Sequence, residues 1–492
     1  MNELTMNDLM GLLPYAPIIL VVITVLAVMI AITVKRSHLI AGTISVVGLN
    51  VALFTLIGQK LEWISSGTPA FSADQLYVID NFAQFNMVVI LICALACCTL
   101  SYAYLAKFDD NKDELYLLIL LSTVGALLMV CAQHMASFFI SLELLSVPLY
   151  GLLSYTFMRK RSLESGLKYL VLSATASATL LMGMAFIYAE VGSLAFKPIS
   201  LLLTNFFESP LLILGAALMM FGIAFKLSAA PFHTWTPDVY EGAPAPVATY
   251  LASVSKVAMM ALAVRFLLDS AMLALPSVQM LIMVMATLSI LVGNLLAIHQ
   301  TNLKRLLGYS SIAHMGYVLI VIVSVGSAAD SITSMYMAVY AFTSIGAFGI
   351  VTLMSSPYRS TRDAGELEHY QGLFWRRPVL TAVMTIMMLS LAGIPLTAGF
   401  ITKLFAILAA VQGTNWFLAA MIVLGSAIGL FYYLRVIMTL FKRPKAFVEY
   451  DVAGQWGIRT GGIMVMVMTA IIVYFGVLPN TLLEWASMAH IW

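Results

Sequence analysis

The chain has 492 residues, of which 62% are hydrophobic and only 10% are charged, and its formal net charge is +2. Soluble domains carry about a quarter of charged residues, so this composition excludes a water-soluble protein and predicts one that crosses a membrane many times. The net charge does not indicate a partner such as nucleic acid, because the few charges stand in short clusters between apolar runs.

Apolar runs long enough to cross a bilayer recur along the chain. A spanning helix needs about 20 apolar residues. The first run is predicted to be a retained span, because no basic segment or clear cleavage site marks it as a signal peptide. The seventh and twelfth runs are weak as single helices, because Pro231 and Pro395 fall inside or beside them. Fourteen candidate spans lie near 13–34, 38–58, 78–104, 114–132, 135–156, 163–190, 210–230, 245–268, 273–298, 304–326, 330–354, 378–411, 415–440 and 462–485.

Motifs for cofactor binding are missing from the sequence. The four cysteines lie in apolar runs, without paired CxxC spacing and without clustered histidines that could complete a metal site. We therefore predict buried thiols and no metal site. The chain also has no GxGxxG or GxxxxGK[ST] phosphate loop, so any redox or nucleotide chemistry is expected on a partner.

The Lys and Arg residues between the spans predict the orientation. Only Lys60, Lys197 and Arg265 fall on one side of the membrane, and the positive-inside rule assigns the other, richer side to the cytoplasm. An even number of spans then places both termini in the periplasm of a bacterium, with the chain in the inner membrane. The predicted cytoplasmic group comprises Lys35, Arg36, Lys107, Lys112, Arg159, Lys160, Arg161, Lys304, Arg305, Arg359, Arg362, Arg376, Arg377, Lys442, Arg443, Lys445 and Arg459.

A few charged residues stand where lipid or apolar core is expected. Glu143 and Lys256 lie near the middle of their predicted spans, where a charge costs at least about 2.5 kcal/mol on insertion scales. Such residues normally face a bundle interior or water and serve a function, although a static neutralising pair is the alternative. The basic residues inside or at the margins of apolar runs are Lys168, Lys226, Lys256, Lys403 and Arg435.

Two proline breaks stand beside two of these lysines. Pro231 follows Lys226, and Pro395 precedes Lys403. A proline frees a carbonyl about four residues back, near Leu391 in the second break. Unpaired backbone survives at membrane depth only where protein or water satisfies it. Interrupted helices in separate halves of the chain therefore indicate an ion pathway, with ordinary proline kinks as the alternative.

Lysine suits proton transfer without a cofactor. Burial disfavours the charged amine and a nearby carboxylate favours it, so a lysine whose acidic partner approaches and withdraws takes up and releases a proton. We predict that Glu143 pairs with Lys226, that Lys256 is the central proton carrier and that Lys403 is the carrier on the side where the proton leaves.

Other polar residues leave alternatives open. His233 and His314 either pass protons or are hydrogen-bonded structural histidines. Asp238 and Glu241 lie in the predicted cytoplasmic turn after the first break. They either direct protons inward or cap the eighth span, and capping is the favoured interpretation.

Four stretches resemble a known family: FKLSAAPFHTWTPDVYEGAPAPVATYLASVSKVA, SLELLSVPLYGL, QTNLKRLLGYSSIAHMGY and SLAGIPLTAGFITKLF. They resemble the antiporter-like membrane subunits of the proton-pumping NADH:quinone oxidoreductase, respiratory complex I, and the resemblance covers essentially the whole chain. Among the three antiporter-like types, the N type is favoured by PFHTWTPDVYEGAP and by Lys403, where the M type typically carries a glutamate. The long lateral helix of the L type is not expected in this chain.

This resemblance implies an all-α polytopic membrane protein of about fourteen transmembrane helices, with two inverted five-helix repeats and discontinuous helices 7 and 12. It places helices 1–3 in residues 1–112, the first repeat (helices 4–8) in 113–270, the second (helices 9–13) in 271–441 and helix 14 in 442–492. The family's proton-transfer positions fall on Glu143, Lys226, Lys256 and Lys403. From the residues themselves, we expect Pro231, His233, Pro395 and His314 to be supporting residues.

The implied function is proton translocation driven by electron transfer from NADH to quinone in partner subunits. Those partners would hold FMN and the iron–sulfur clusters and bind NADH and quinone, with no cofactor in this chain. The expected partners are other membrane-arm subunits in a heteromultimer, and the lipid bilayer. One alternative is an Mrp-type sodium/proton antiporter subunit, and another is a purely structural subunit.

Overall fold

Helices joined by short turns account for most of the computed structural model, which describes residues 11–63, 76–106, 108, 112–203, 209–355, 363–443 and 450–491. Within these ranges the chain forms isolated β-bridges but no strand. The main helices are α1 (Ala16–Val34), α2 (His38–Lys60), α3 (Asn81–Leu105), α4 (Glu114–Cys131), α5 (Met135–Leu153), α6 (Lys160–Val191), α7 (Pro210–Leu227), α8 (Trp235–Gly242), α9 (Ala245–Ala252), α10 (Val254–Asp269), α11 (Pro276–Ala297), α12 (Leu303–Val325), α13 (Ala329–Ser355), α14 (Pro378–Ala392), α15 (Ala398–Gln412), α16 (Trp416–Phe441), α17 (Thr460–Val477) and α18 (Pro479–Ser487).

The helices confirm most of the predicted spans. In the described residues, 13 helical segments are long and apolar enough to cross a membrane. The twelfth predicted span is instead divided between α14 and α15, each of 15 residues, or about 22 Å. The seventh ends at Leu227 and is followed by the short helix α8, so both predicted discontinuities are present. The last span ends earlier than predicted, at Val477, and α18 follows it.

The centre of the bundle differs from its periphery in exposure rather than in hydrophobicity. Helices α10, α12 and α13 are buried along almost their whole lengths. Helices α1 and α2 instead leave large apolar side chains exposed, among them Ile30, Val34 and Phe54. Because lipid tails are as apolar as a protein core, an exposed apolar face on a spanning helix is compatible with contact to lipid.

Glycines allow two pairs of helices to approach closely. A Cβ added to Gly183 in α6 would lie 2.7 Å from the carbonyl oxygen of Gly215 in α7. A Cβ added to Gly316 in α12 would lie 2.8 Å from the carbonyl oxygen of Ala286 in α11. Only residues without a side chain permit such backbone contact, which is the usual basis of tight helix packing in membranes.

Charged residues of the predicted cytoplasmic side gather at one end of the bundle. Arg305 donates to Asp238 (2.5 Å) and to Glu241 (3.1 Å), and Arg161 also donates to Glu241 (2.5 Å).

The prediction that Asp238 and Glu241 cap the eighth span is wrong, because α9 begins after Pro244 without any side-chain cap. The acids instead belong to α8, which forms where a turn was expected. Lys107, Arg359, Arg362 and Lys445 lie outside the described residues.

Asp363 forms a buried charge cluster at the same end. Its carboxylate accepts hydrogen bonds from Tyr104 Oη (2.8 Å), Arg159 Nη1 (2.8 Å), Lys304 Nζ (2.9 Å) and the backbone N–H of Ala245 (3.0 Å). Its side chain is only 5% exposed. Burial raises the pKa of Asp363, but the adjacent Lys304 and Arg159 charges outweigh burial and lower that pKa overall. The cluster therefore joins segments from both halves of the chain.

The prediction that Arg265 lies in a loop on the periplasmic side is wrong. Arg265 lies in α10, is fully buried, and donates through both terminal nitrogens to Asp80, at 2.7 and 2.9 Å. Asp80 also accepts from the backbone N–H of Ala83 (2.7 Å) and so caps the start of α3. A buried guanidinium needs a hydrogen-bonded partner of opposite charge, and the Asp80 carboxylate is that partner through its two hydrogen bonds.

The prediction of buried thiols is confirmed. All four cysteines are free and buried. Cys131, the last residue of α4, lies with its sulfur 3.8 Å from that of Met87 in α3. The cysteines therefore act as packing residues between helices.

Candidate proton-transfer site

Glu143 is held at one end of a hydroxyl-lined region between α5 and α6. Its carboxylate accepts a hydrogen bond from Ser177 Oγ at 2.6 Å. The side chain is partly exposed on the surface of this chain. An acid in this position can be reached both from the interior of the bundle and from a surface that a neighbouring chain could cover.

Lys226 lies on the inner side of Glu143, near the end of α7. Its amine donates to Ser146 Oγ and to Ser173 Oγ, each at 2.7 Å. It is 4% exposed, so these neutral hydroxyls take the place of water around the amine. Tyr150 Oη lies 2.9 Å from Ser173 Oγ and extends the same group.

Glu143 and Lys226, the predicted pair, are not in direct contact in this structure. Within the described residues no carboxylate oxygen lies within 4.0 Å of the Lys226 amine. The two charged groups bind different serines of α6, Ser177 and Ser173, which are one helical turn or about 6 Å apart along the axis. Two hydroxyls on one helix face therefore bridge the acid and the amine.

Removal of the Ser173 hydroxyl, which binds Lys226, tests this serine bridge. Ser173→Ala is expected to slow proton-coupled turnover several-fold, because Lys226 loses one of its two side-chain acceptors and a buried unmade hydrogen bond costs about 1–3 kcal/mol. Thr175→Ala, on the same helix, is the matched control, because its hydroxyl is exposed and bonds only Val171 O. Equal activities for the two variants would contradict a role for Ser173.

Lys256 follows a break in the eighth span that the sequence did not predict. Helix α9 ends at Ala252 and α10 begins at Val254, with Ser253 between them. The Lys256 amine is fully buried and donates to Lys226 O (3.2 Å) and to Ser228 Oγ.

The first proline break explains these acceptors. Helix α7 stops at Leu227, and Ser228 adopts a left-handed backbone conformation with φ of 62°. The final carbonyls of a helix lack intrahelical donors and carry a partial negative charge of about half an elementary unit. Lys256 therefore meets a fixed negative helix end at the first break.

Lys403 repeats this arrangement at the second break. Its amine donates to Leu391 O (2.8 Å) and Ala392 O (3.0 Å), the last carbonyls of α14. This confirms the predicted free carbonyl near Leu391. Gly393 follows with φ of +80°, and a Cβ there would lie 2.6 Å from Lys403 Cδ, so a residue without a side chain is required.

His314 is joined to aromatic residues near Lys403. Its Nδ1 lies 2.8 Å from Tyr336 Oη and its Nε2 lies 3.4 Å from Tyr433 Oη. Tyr317 lies between the two groups, with its ring centroid 5.6 Å from that of His314 and 5.3 Å from the Lys403 amine. His314 thus occupies a buried hydroxyl network between α12, α13 and α16.

His233 is not joined to any of these groups. Its Nδ1 is buried and has no hydrogen-bonding partner within the described residues. His233 lies in the turn between α7 and α8, after the cis peptide bond that precedes Pro231. The structure therefore brings together His314 and Lys403, and Lys226 and Lys256, but leaves His233 apart.

Sequence reasoning missed the hydroxyl partners of the charged groups. Serines are common in membrane helices, where most of them bond the backbone of their own helix. The one available signal was spacing, because residues four apart share a helix face, as Ser173 and Ser177 do on α6. The missed residues are Ser146, Ser173, Ser177, Tyr336 and Tyr433.

Comparisons with known proteins show the family to which this chain belongs. Residues 132–429 match the family described as NADH:quinone oxidoreductase/Mrp antiporter, transmembrane region. The chain is 83% identical to NADH-quinone oxidoreductase subunit N of Psychrobacter arcticus, over 100% of both chains. The chain belongs to the NADH:quinone oxidoreductase/Mrp antiporter family. The predicted resemblance to the N type of complex I subunit is confirmed by that relative.

Two solved structures share the fold of this chain. A chain of respiratory complex I from Thermus thermophilus, with bound aureothin, is 30% identical and superposes with a TM-score of 0.81, covering 95% of this chain and 98% of that one. A chain of the Mrp complex from Dietzia sp. has a TM-score of 0.82 at 18% identity, covering 98% and 97%, and supports the fold alone.

Proposed function

We propose that this chain is a proton-translocating membrane-arm subunit of a respiratory NADH:quinone oxidoreductase. The observation that carries the proposal is the pair of buried lysines, Lys256 and Lys403, each bound to carbonyls at a broken helix end. The 83% identity to a subunit N chain selects the respiratory enzyme.

In this mechanism a proton moves through groups that the described contacts bring together. Glu143 exchanges charge with Lys226 through the serine bridge on α6. Lys256 is the next carrier, because its amine is bonded to the carbonyl of Lys226 itself. Lys403 is the carrier of the second half, with His314 beside it across Tyr317. Water molecules would carry the proton across the gaps between these groups.

The energy for this transfer comes from partner subunits. FMN, the iron–sulfur clusters, and the sites for NADH and quinone belong to those partners in this proposal, and this chain supplies the proton-carrying groups. The chain would lie in a bacterial inner membrane with both termini in the periplasm, since the basic clusters at one end of the bundle then face the cytoplasm. The repeat boundaries near residues 113–270 and 271–441 belong to the same proposal.

The test combines purification with a transport measurement. A tagged chain should copurify with flavin-containing and iron–sulfur subunits, and the complex in vesicles should acidify the lumen when NADH is oxidised. Glu143→Ala and Lys226→Ala should each reduce proton transport by about a hundredfold or more while assembly is retained. Val147→Ala is the control, because Val147 is 57% exposed on the same helix as Glu143.

Two outcomes would overturn this assignment. Copurification with other antiporter subunits alone, without redox subunits, would instead make the chain part of an Mrp-type sodium/proton antiporter. Loss of assembly in both variants, with normal proton transport by whatever complex survives, would make their charges structural.

A further inference from the structure

An apolar groove opens on the bundle surface away from the proton-transfer groups. It lies between α2, α3, α13, α17 and α18 and encloses about 360 Å³. Its lining is almost wholly apolar, and the polar residues Lys60, Asn81 and Gln84 lie toward one end of it. The apolar part of the lining includes Leu56, Phe85, Ile92, Phe342, Phe475 and Trp485.

The length of the groove matches one leaflet of a bilayer. Along α3 it extends from Asn81 to Ile92, an axial rise of about 16 Å. The hydrocarbon core of a bilayer is about 30 Å thick, so a single leaflet is about half that. A molecule that fills the groove therefore reaches from the membrane surface to about the midplane, which is the dimension of one acyl chain.

One end of the groove carries an amine at the end of a spanning helix, where lipid headgroups are expected. Lys60 is the last residue of α2, and its Nζ donates to Asn81 Oδ1 at 2.6 Å. Its partner is a neutral amide, and no carboxylate forms an ion pair with Lys60 in the part of the chain that is described. Trp485 lines the same groove and is 49% exposed, as is typical of aromatic residues at a membrane interface.

We propose that this groove binds a phospholipid of the surrounding bilayer, with one acyl chain in the apolar channel and the headgroup phosphate on Lys60. The positive charge at the rim complements an anionic headgroup such as phosphatidylglycerol, while the lining complements only hydrocarbon. Binding of a phosphate would also explain why a lysine occurs at this position, on the side of the membrane that is predicted to carry few basic residues.

The bound chain would contact the helix that carries part of the buried hydroxyl network. Phe342 of α13 lines the groove, together with Ala338 one turn earlier. Tyr336 and Tyr340 of the same helix bond His314 and Ser311. A lipid in the groove would therefore pack against Ala338 and Phe342 of the same helix that carries Tyr336 and Tyr340, whether or not the hydroxyl network carries protons.

Photo-crosslinking of the intact complex tests the proposal. The complex is placed in nanodiscs of phosphatidylcholine that contain a phosphatidylglycerol with a diazirine on its acyl chain, and labelled peptides are mapped. Label is expected in residues 81–92 and in residues 338–342. Lys60→Gln should reduce this labelling about fivefold, and Lys60→Arg should preserve it.

A second variant removes the apolar site without changing charge. Ala338→Phe should fill the groove and abolish the label, whereas Val47→Phe, on an exposed position of α2 outside the groove, should leave it unchanged. Native gels of each variant report assembly before labelling.

Three results would overturn the proposal. The first is labelling that is insensitive to both Lys60→Gln and Ala338→Phe. The second is absence of label in the intact complex, as expected if a neighbouring subunit fills the groove. The third is stronger labelling by a diazirine-bearing quinone than by the phospholipid at equal concentration.

Discussion

Lys256→Ala is expected to lower NADH-driven proton transport by at least about a hundredfold in an enzyme that still assembles, the scale on which a single acid–base group contributes. Lys256 is fully buried, and its amine bonds both the carbonyl of Lys226 and the hydroxyl of Ser228. Without it, the negative end of α7 loses its only described cationic neighbour and the route loses its central carrier. Transport is measured in vesicles with a pH-sensitive dye, together with the quantity of complex.

Loss of packing at this depth has to be separated from loss of the amine. Met260→Ala removes a fully buried side chain one turn further along α10 and leaves every described carrier in place. Both variants create a cavity, which costs about 2–5 kcal/mol for a side chain of this size. If Met260→Ala impairs transport as severely as Lys256→Ala at equal assembly, the amine is not the carrier.

Asp363→Ala is expected to destabilise the protein by about 3–5 kcal/mol, the usual cost of leaving buried charges without their partner. The substitution leaves the guanidinium of Arg159 and the amine of Lys304 facing each other, and Ala245 loses the acceptor of its N–H. The quantity of assembled complex that survives a series of temperatures is the measurement. A fall in the unfolding midpoint by several degrees is expected.

Glu164→Ala is the matched control for this prediction. Glu164 pairs with Lys168 four residues away, and its side chain is 59% exposed, so its loss should cost under about 1 kcal/mol. Similar shifts for the two variants would mean that burial adds nothing to the Asp363 cluster.

The effect of pH on the Asp363 cluster has a definite sign. Since the folded protein lowers the pKa of Asp363, its ionisation stabilises the fold. That stability is fully present above the ordinary Asp pKa of about 3.9 and disappears only as pH falls through the lower, folded value. The difference in stability between the wild type and Asp363→Asn should therefore stay constant from neutral pH down to about pH 5.

Sequence reasoning was strongest where a residue violates the chemistry of its surroundings. A proline inside an apolar run, or a lysine at membrane depth, is costly enough to require a structural reason, and the breaks after Leu227 and Ala392 supply it. The carbonyl acceptor at Leu391 was predicted from covalent chemistry alone, because a proline removes a donor at a fixed distance back along the helix.

Sequence reasoning was weakest where a residue is ordinary for its surroundings. Ser173 and Ser177 resemble any small hydroxyls in a membrane helix, and their role depends on which helix packs beside α6. Asp363 lies in a polar stretch that sequence alone assigns to solvent, and its burial follows from the meeting of four distant segments. Arg265 was assigned to the wrong environment for the same reason, since its partner Asp80 is remote in sequence.

The acceptors at the two breaks have a consequence for how the chain tolerates mutation. Lys256 and Lys403 both bind main-chain oxygens, those of Lys226, Leu391 and Ala392. A peptide carbonyl survives every exchange of side chain, so no point substitution of the residue that bears it deletes the acceptor directly. Point substitutions at these two places can therefore remove the amine, the Ser228 hydroxyl that Lys256 also binds, or the backbone conformation that presents a carbonyl, but they cannot remove the carbonyl oxygen itself.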